Sequence, residues 1–182
     1  HEKDVECQVV EVDIRKKPRE IGELNPYNTV PTMIDRDLVL YESHIINEYL
    51  DERLPHPPLM PVDPVSRAKA RLMLMRFDRD WYSLLPELLG GDKKRTQTAR
   101  NTLRDGLTVI SPVFKEQPFI LGAEFSLVDC SLAPILWRLP LYGIELPRQA
   151  KPILDYAERL FARKSFKLSL TDAEHDMRPR GK

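Results

Sequence analysis

Apolar and polar residues alternate from the fifth position of the chain, with Val5, Cys7 and Val9 set against Glu6 and Gln8, and the pattern runs on through Val10, Val12 and Ile14. A period of two in β-branched residues predicts a strand. In RKKPREIGELNP the period changes: Pro18 suits a first helical turn, Ile21 and Leu24 lie three apart, and Asn25-Pro26 stops the chain. That predicts one short helix. Two apolar runs, Met33-Ile34 and Leu38-Val39-Leu40, then flank Asp35-Arg36-Asp37 and predict a β-hairpin. Ser43 is placed to cap the next helix, whose stripe is Ile45, Ile46, Tyr49, Leu50 and Leu54, ending at Pro55. The expected order is strand, helix, strand, strand, helix, with parallel crossovers and an antiparallel last pair.

Beyond residue 63 only the helical period recurs. PVSRAKARLMLMRFDRDWYSLLPELL predicts one long helix with Val65, Ala68, Leu72, Met75, Arg79 and Tyr82 along its seam, Trp81 and Leu85 beside it, and Gly90-Gly91 at its end. Arg67, Arg71 and Arg76 read as a solvated face. A second helix over roughly 94–115 carries Ala99, Leu103, Leu107 and Ile110. In FSLVDCSLAPILW, Ser126 and Asp129 stand three apart and predict a reciprocal capping box, with Phe125 at the staple position opposite Cys130.

Between the two regimes lies YLDERLPHPPLMPVDP, where five prolines fall within residues 55–64 around His56. Proline fixes φ and lacks an N–H, so this cannot be the middle of a helix or a central strand. The expected organisation is therefore 1–54, a Pro-rich segment 55–63, and an all-helical part 64–182. Charge marks the same boundary. Residues 1–63 carry 14 acidic and 7 basic side chains, a net of −7, and the remainder a net of +7, for a formal charge of zero. No dense basic block appears, which argues against sequence-specific nucleic-acid binding, and no apolar run reaches the length of a membrane span. Cys7 and Cys130 stand in no metal or redox spacing and read as buried free thiols. The four histidines are unpaired in sequence, so no metal is expected. The chain starts at His1 rather than methionine, so a preceding segment is expected. The end, TDAEHDMRPRGK, shows no apolar periodicity, and a mobile tail and a contact with a partner both stay open.

NTVPTMIDRDLVLYESHIINEYLDE resembles the second half of the thioredoxin-like domain of glutathione transferases. The Ser-x-x-Asp box resembles the one in the buried helix of their all-helical domain. The implied fold is an α+β thioredoxin-like N-terminal domain plus an all-α C-terminal domain, with the first strand and helix of that pattern outside the chain. The resemblance implies a glutathione site at Val30, Pro31, Glu42 and Ser43, with Val30-Pro31 cis. From the residues alone, cis and a trans edge proline stand even. His44, after Ser43, is bulkier than the small residue transferases commonly carry.

ESHIINEYLDERLPHPPLMPVDPVSRA, RDWYSLL, FSLVDCSLAPILWRLPLYGIEL and SFKLSLTDAEHDMR together resemble a narrower group, the stringent starvation protein A family of RNA-polymerase-associated proteins with the glutathione-transferase fold. What this implies is a cytoplasmic bacterial stress regulator, homodimeric, bound to polymerase holoenzyme with its sigma factor. It is expected to be non-catalytic, with no cofactor. The implied docking patch is Pro55, His56, Pro57 and Pro58, with Tyr82 as a neighbour. Other readings stay open: a glutathione-dependent transferase or peroxidase, a homodimeric scaffold with neither role, and, for the segment itself, a stiff interdomain strap with His56 merely facing solvent.

Overall fold

The computed structural model describes residues 1–178, which fall into two compact units divided between Pro58 and Leu59. In the first, helix α1 (Arg19–Leu24) starts at Pro18 and stops at Asn25. The hairpin follows as β1 (Thr32–Asp35) and β2 (Leu38–Tyr41), antiparallel, with Thr32 opposite Tyr41 and Asp35 opposite Leu38. The two-residue turn puts Arg36 in the left-handed region at φ 56°. Helix α2 spans Ser43–Arg53.

Three expectations for this unit fail. Residues 5–14 form no strand; Val9, Val10 and Ile14 are 74, 72 and 67% exposed. Alternation marks two faces, but a strand also needs a neighbour for its N–H and C=O groups, and the sheet among the described residues holds β1 and β2 only. Cys7 is exposed in consequence, and Cys130 is half-buried, so neither is a fully buried thiol. Ser43 is not the cap either. Glu42 holds that position at φ 69°, without a side-chain cap bond, and Ser43 is the first helical residue.

The second unit is a helical assembly. Helix α3 (Pro64–Asp80) is capped by Asp63, which accepts from the Ser66 N–H at 2.7 Å. A 3-10 turn (Tyr82–Leu84) leads into α4 (Leu85–Gly90), and Asp92 caps α5 (Lys93–Ile110) by accepting from the Lys94 and Arg95 amides. Then come α6 (Val113–Glu116), α7 (Leu127–Trp137), a 3-10 turn (Arg148–Ala150), α8 (Lys151–Ala162), α9 (Lys164–Ser169) and α10 (Asp172–Met177). The long helix expected over 64–89 is thus broken at Trp81, and α5 stops at Ile110 rather than near 115, before Ser111-Pro112. The buried stripe of α3 is Ala70, Leu74 and Phe77; the seam expected at Val65, Leu72 and Met75 is exposed.

Helix α7 is apolar on all sides and lies at the centre of the core, with Val128, Leu132, Ile135 and Leu136 buried. Its N-terminus carries the expected capping box: the Ser126 N–H and Oγ–H both donate to Asp129 Oδ2 at 2.8 Å. Asp129 Oδ1 accepts from the Ile120 N–H at 3.0 Å and the Tyr156 hydroxyl at 2.7 Å. One fully buried carboxylate therefore joins the loop before α7 to α8. Phe125 meets the edge of Phe119, with the Arg163 guanidinium 3.8 Å from its ring centre. At the chain end the mobile alternative fails over residues 171–178. Thr171 caps α10, Trp137 Nε1 donates to the Glu174 carbonyl at 3.2 Å, and the Glu174 carboxylate pairs with Arg138. Residues 179–182 of the same segment lie outside the described residues.

Candidate functional site

Helix α2 ends where Pro55 forbids a further turn; the Leu54 N–H closes the last bond, to the Leu50 carbonyl at 3.0 Å. Pro55, His56, Pro57 and Pro58 then follow as four consecutive exposed residues, with the His56-Pro57 peptide cis. Among the described residues nothing bonds to the His56 imidazole. Directly after the four, Leu59 and Met60 are buried, in the core of the second unit.

The segment is held from the side. Asp51, in the last turn of α2, is buried and pairs with Lys3, whose ammonium also donates to the Pro57 carbonyl. Only 9% of the Lys3 side chain and 8% of the Asp51 side chain are exposed. The C-terminal end of a helix carries partial negative charge, which favours a cation there.

A second constellation lies at the far end of the hairpin. Because Thr32 pairs with Tyr41, the residues just outside that pair, Val30-Pro31 and Glu42-Ser43, meet at one end of the ladder. All four are exposed, and Val30-Pro31 is cis. Among the described residues no hydrogen bond engages the Val30 N–H or carbonyl, so both are open to an extended backbone. The loop leading there is set by Asn25, which is fully buried. Its amide donates to the Thr29 carbonyl and Thr29 Oγ1 at 3.0 Å, and its Oδ1 accepts from the Tyr27 N–H at 2.9 Å. His44 is half-buried next to Ser43.

Of the residues expected at a site, the structure groups Val30, Pro31, Glu42 and Ser43 at one place and Pro55–Pro58 at another. Tyr82 belongs to the second unit. Its hydroxyl donates to the Ser131 carbonyl at 2.7 Å, and burial holds the phenol well above its ordinary value. Lys3, Asp51 and Asn25 were not expected. Asp51 left one signal, a carboxylate directly after Leu50 and three residues before Leu54, bordering the apolar stripe of its helix. Lys3 left none. Among the described residues no three His, Cys, Asp or Glu side chains gather to hold a metal ion, and no helix is long and apolar enough to cross a membrane.

Residues 1–58 match the glutathione S-transferase N-terminal domain, and residues 79–159 the glutathione S-transferase C-terminal domain. The chain is 49% identical over 173 residues to a stringent starvation protein A homolog of Haemophilus influenzae, covering 94% of this chain and 82% of that protein. A stringent starvation protein A homolog of Coxiella burnetii is 45% identical, with 97% and 85% covered. Among solved structures, glutathione transferase Omega 3C of Trametes versicolor superposes with a TM-score of 0.79 at 29% identity, over 94% of this chain and 76% of that one.

Proposed function

The chain belongs to the stringent starvation protein A family, built on the glutathione S-transferase fold, and on that footing we propose that it is a bacterial cytoplasmic stress regulator that docks on RNA polymerase holoenzyme, sigma factor included, through Pro55–Pro58. The observation that carries this reading is the run of four exposed residues whose Pro57 carbonyl is tied back to Lys3. A surface immobilised before it meets a partner loses less conformational entropy on docking. An imidazole among prolines offers a polar, partly aromatic contact with little freedom left to lose. The net −7 of residues 1–63 favours approach to a basic partner surface.

His56 is exposed and its imidazole makes no hydrogen bond among the described residues, so His56→Ala is expected to fold with stability within about 0.5 kcal/mol of the native chain. Its capture of polymerase holoenzyme is expected to be about thirtyfold weaker, the size of a single interface hot spot. Native-like binding by the folded variant would exclude the patch as the docking surface.

A homodimer is part of the same reading. The exposed Val65, Leu72 and Met75 on α3 form an apolar stripe that a second copy would cover, with Arg67 and Arg71 beside it. Light scattering that finds a monomer at micromolar concentration would exclude it.

One observation favours a second reading. The open Val30 backbone suits the peptide backbone of a glutathione-like thiol, the exposed Glu42 its ammonium, and the exposed Ser43 at the start of α2 its carboxylate, and a solved structure at 29% identity is named a glutathione transferase. Retention on immobilised glutathione with turnover of a generic electrophile would promote this reading. Failure in both would retire it.

A further inference from the structure

The Lys3–Asp51 pair is almost wholly covered, and its chemistry does not stop at the pair. Two charges removed from water cost several kcal/mol each, and their mutual attraction often does no more than offset that. As a device for stability alone the pair gains little over two apolar side chains. What an apolar pair cannot do is donate to the Pro57 carbonyl, and Lys3 does so. The ammonium has three donors on one centre. One meets the Asp51 carboxylate in the last turn of α2, and another the carbonyl one residue past His56. The two acceptors belong to different parts of the backbone: Asp51 to a regular helix, Pro57 to a segment in which three of four residues have no N–H. Prolines at 55, 57 and 58 restrict φ locally, but they leave the segment with few donors to tie it to the rest of the unit. Lys3, 54 residues away in sequence from Pro57, supplies one from outside.

We infer that Lys3 is a positioning residue for the docking segment: its ammonium, neutralised by Asp51, fixes the Pro57 carbonyl against the end of α2 and thereby sets how His56 is presented to a partner. The inference rests on the docking reading above and adds a residue to it. Lys3 itself touches no partner; it acts through Pro57.

The experiment uses the paired variant Lys3→Met/Asp51→Leu in the full chain, because replacing both charges with apolar groups leaves neither one buried alone. The tether is read by ¹³C relaxation of the His56 Cε1–H group, assigned by comparison with His56→Gln. Docking is read by affinity for polymerase holoenzyme. The paired variant is expected to fold, to show a more mobile His56 ring, and to bind about tenfold more weakly, since the segment must then be ordered on docking. Adding His56→Ala to the paired variant is expected to weaken binding less than His56→Ala does in the native chain, because part of what the ring contributes depends on the tether. A folded paired variant with native ring relaxation and native affinity overturns the inference. If His56→Ala in the native background binds normally, the docking reading falls, and the ring relaxation still decides the tether. Should the paired variant not fold, Lys3→Met/Asp51→Asn, which also leaves no charge buried alone, takes its place: a more mobile ring with weaker binding supports the tether, and native values of both overturn it.

Discussion

Asp129→Ala is expected to lower the unfolding free energy by about 3–5 kcal/mol, a large share of the roughly 5–15 kcal/mol typical of a folded domain. The carboxylate accepts four hydrogen bonds, from the Ser126 amide and hydroxyl, the Ile120 amide and the Tyr156 hydroxyl, and it is fully buried. The two amides cannot turn to water, and each buried donor left without an acceptor costs about 1–3 kcal/mol. The lost half of the cap adds about 1 kcal/mol. Asp129→Asn should recover part of the loss, because an amide presents one acceptor and one donor group and can satisfy only one side of the hub. The check is the urea midpoint at unchanged slope, with Ser126→Ala as the smaller control. A loss below about 1 kcal/mol for Asp129→Ala would show that water replaces the carboxylate and that the hub does not join loop to helix.

The same hub shapes the alkaline limb of stability. Burial, and after it the neighbouring Asp129 charge, push the Tyr156 phenol far above its ordinary value. A group whose folded pKa exceeds the unfolded one, about 10 for tyrosine, contributes stability that is complete below that pH and is lost as pH rises through the folded value. Stability should therefore decline above about pH 10, and the decline should end at a lower pH in Asp129→Asn, where burial still raises the phenol but the charge next to it is gone.

The capping box was legible because it is local: four consecutive residues carry both halves, and the apolar run behind them marks the helix. The hairpin was legible for the same reason. The tether of the docking segment was not, because Lys3 finds Asp51 and Pro57 at separations of 48 and 54 residues, and neither end announces the other. The strand expected at 5–14 shows what periodicity leaves out. Alternation describes two faces of a segment and says nothing about a ladder partner, on which the strand depends. Helix α3 shows a subtler gap. Two stripes satisfy helical spacing there, Val65-Ala68-Leu72-Met75 and Ala70-Leu74-Phe77-Trp81. The period cannot choose between them; the placement of α7 and the rest of the core does, and it takes the second. The first, left outside, is the stripe proposed for the dimer. Exposure of the proline segment, by contrast, follows from composition, since few of its residues could join any regular structure.

The break at Trp81 yields the other large effect, through a glycine that helix propensity alone would call a defect. Gly106 lies in the middle of α5, where alanine ordinarily gains about 1 kcal/mol. A Cβ at that position would stand 2.7 Å from Trp81 Nε1 and 3.4 Å from its Cε2. The indole cannot withdraw, because it is buried and stacked on Phe77, ring centres 4.7 Å apart and planes 17° from parallel. Overpacking a filled core costs about 1–3 kcal/mol, so the clash outweighs the propensity gain. Gly106→Ala should be destabilising by about 1 kcal/mol, and Gly106→Val, with two further methyl groups against the ring, by about 3 kcal/mol. A second background separates fit from propensity: in Trp81→Leu, whose side chain ends short of the position Nε1 holds, Gly106→Ala should become neutral or stabilising. That change of sign is a coupling energy of at least about 1 kcal/mol, well above the scatter of additive sites. If Gly106→Ala stabilises the native chain, the close passage of α5 over Trp81 does not exist, and the glycine has no packing role there.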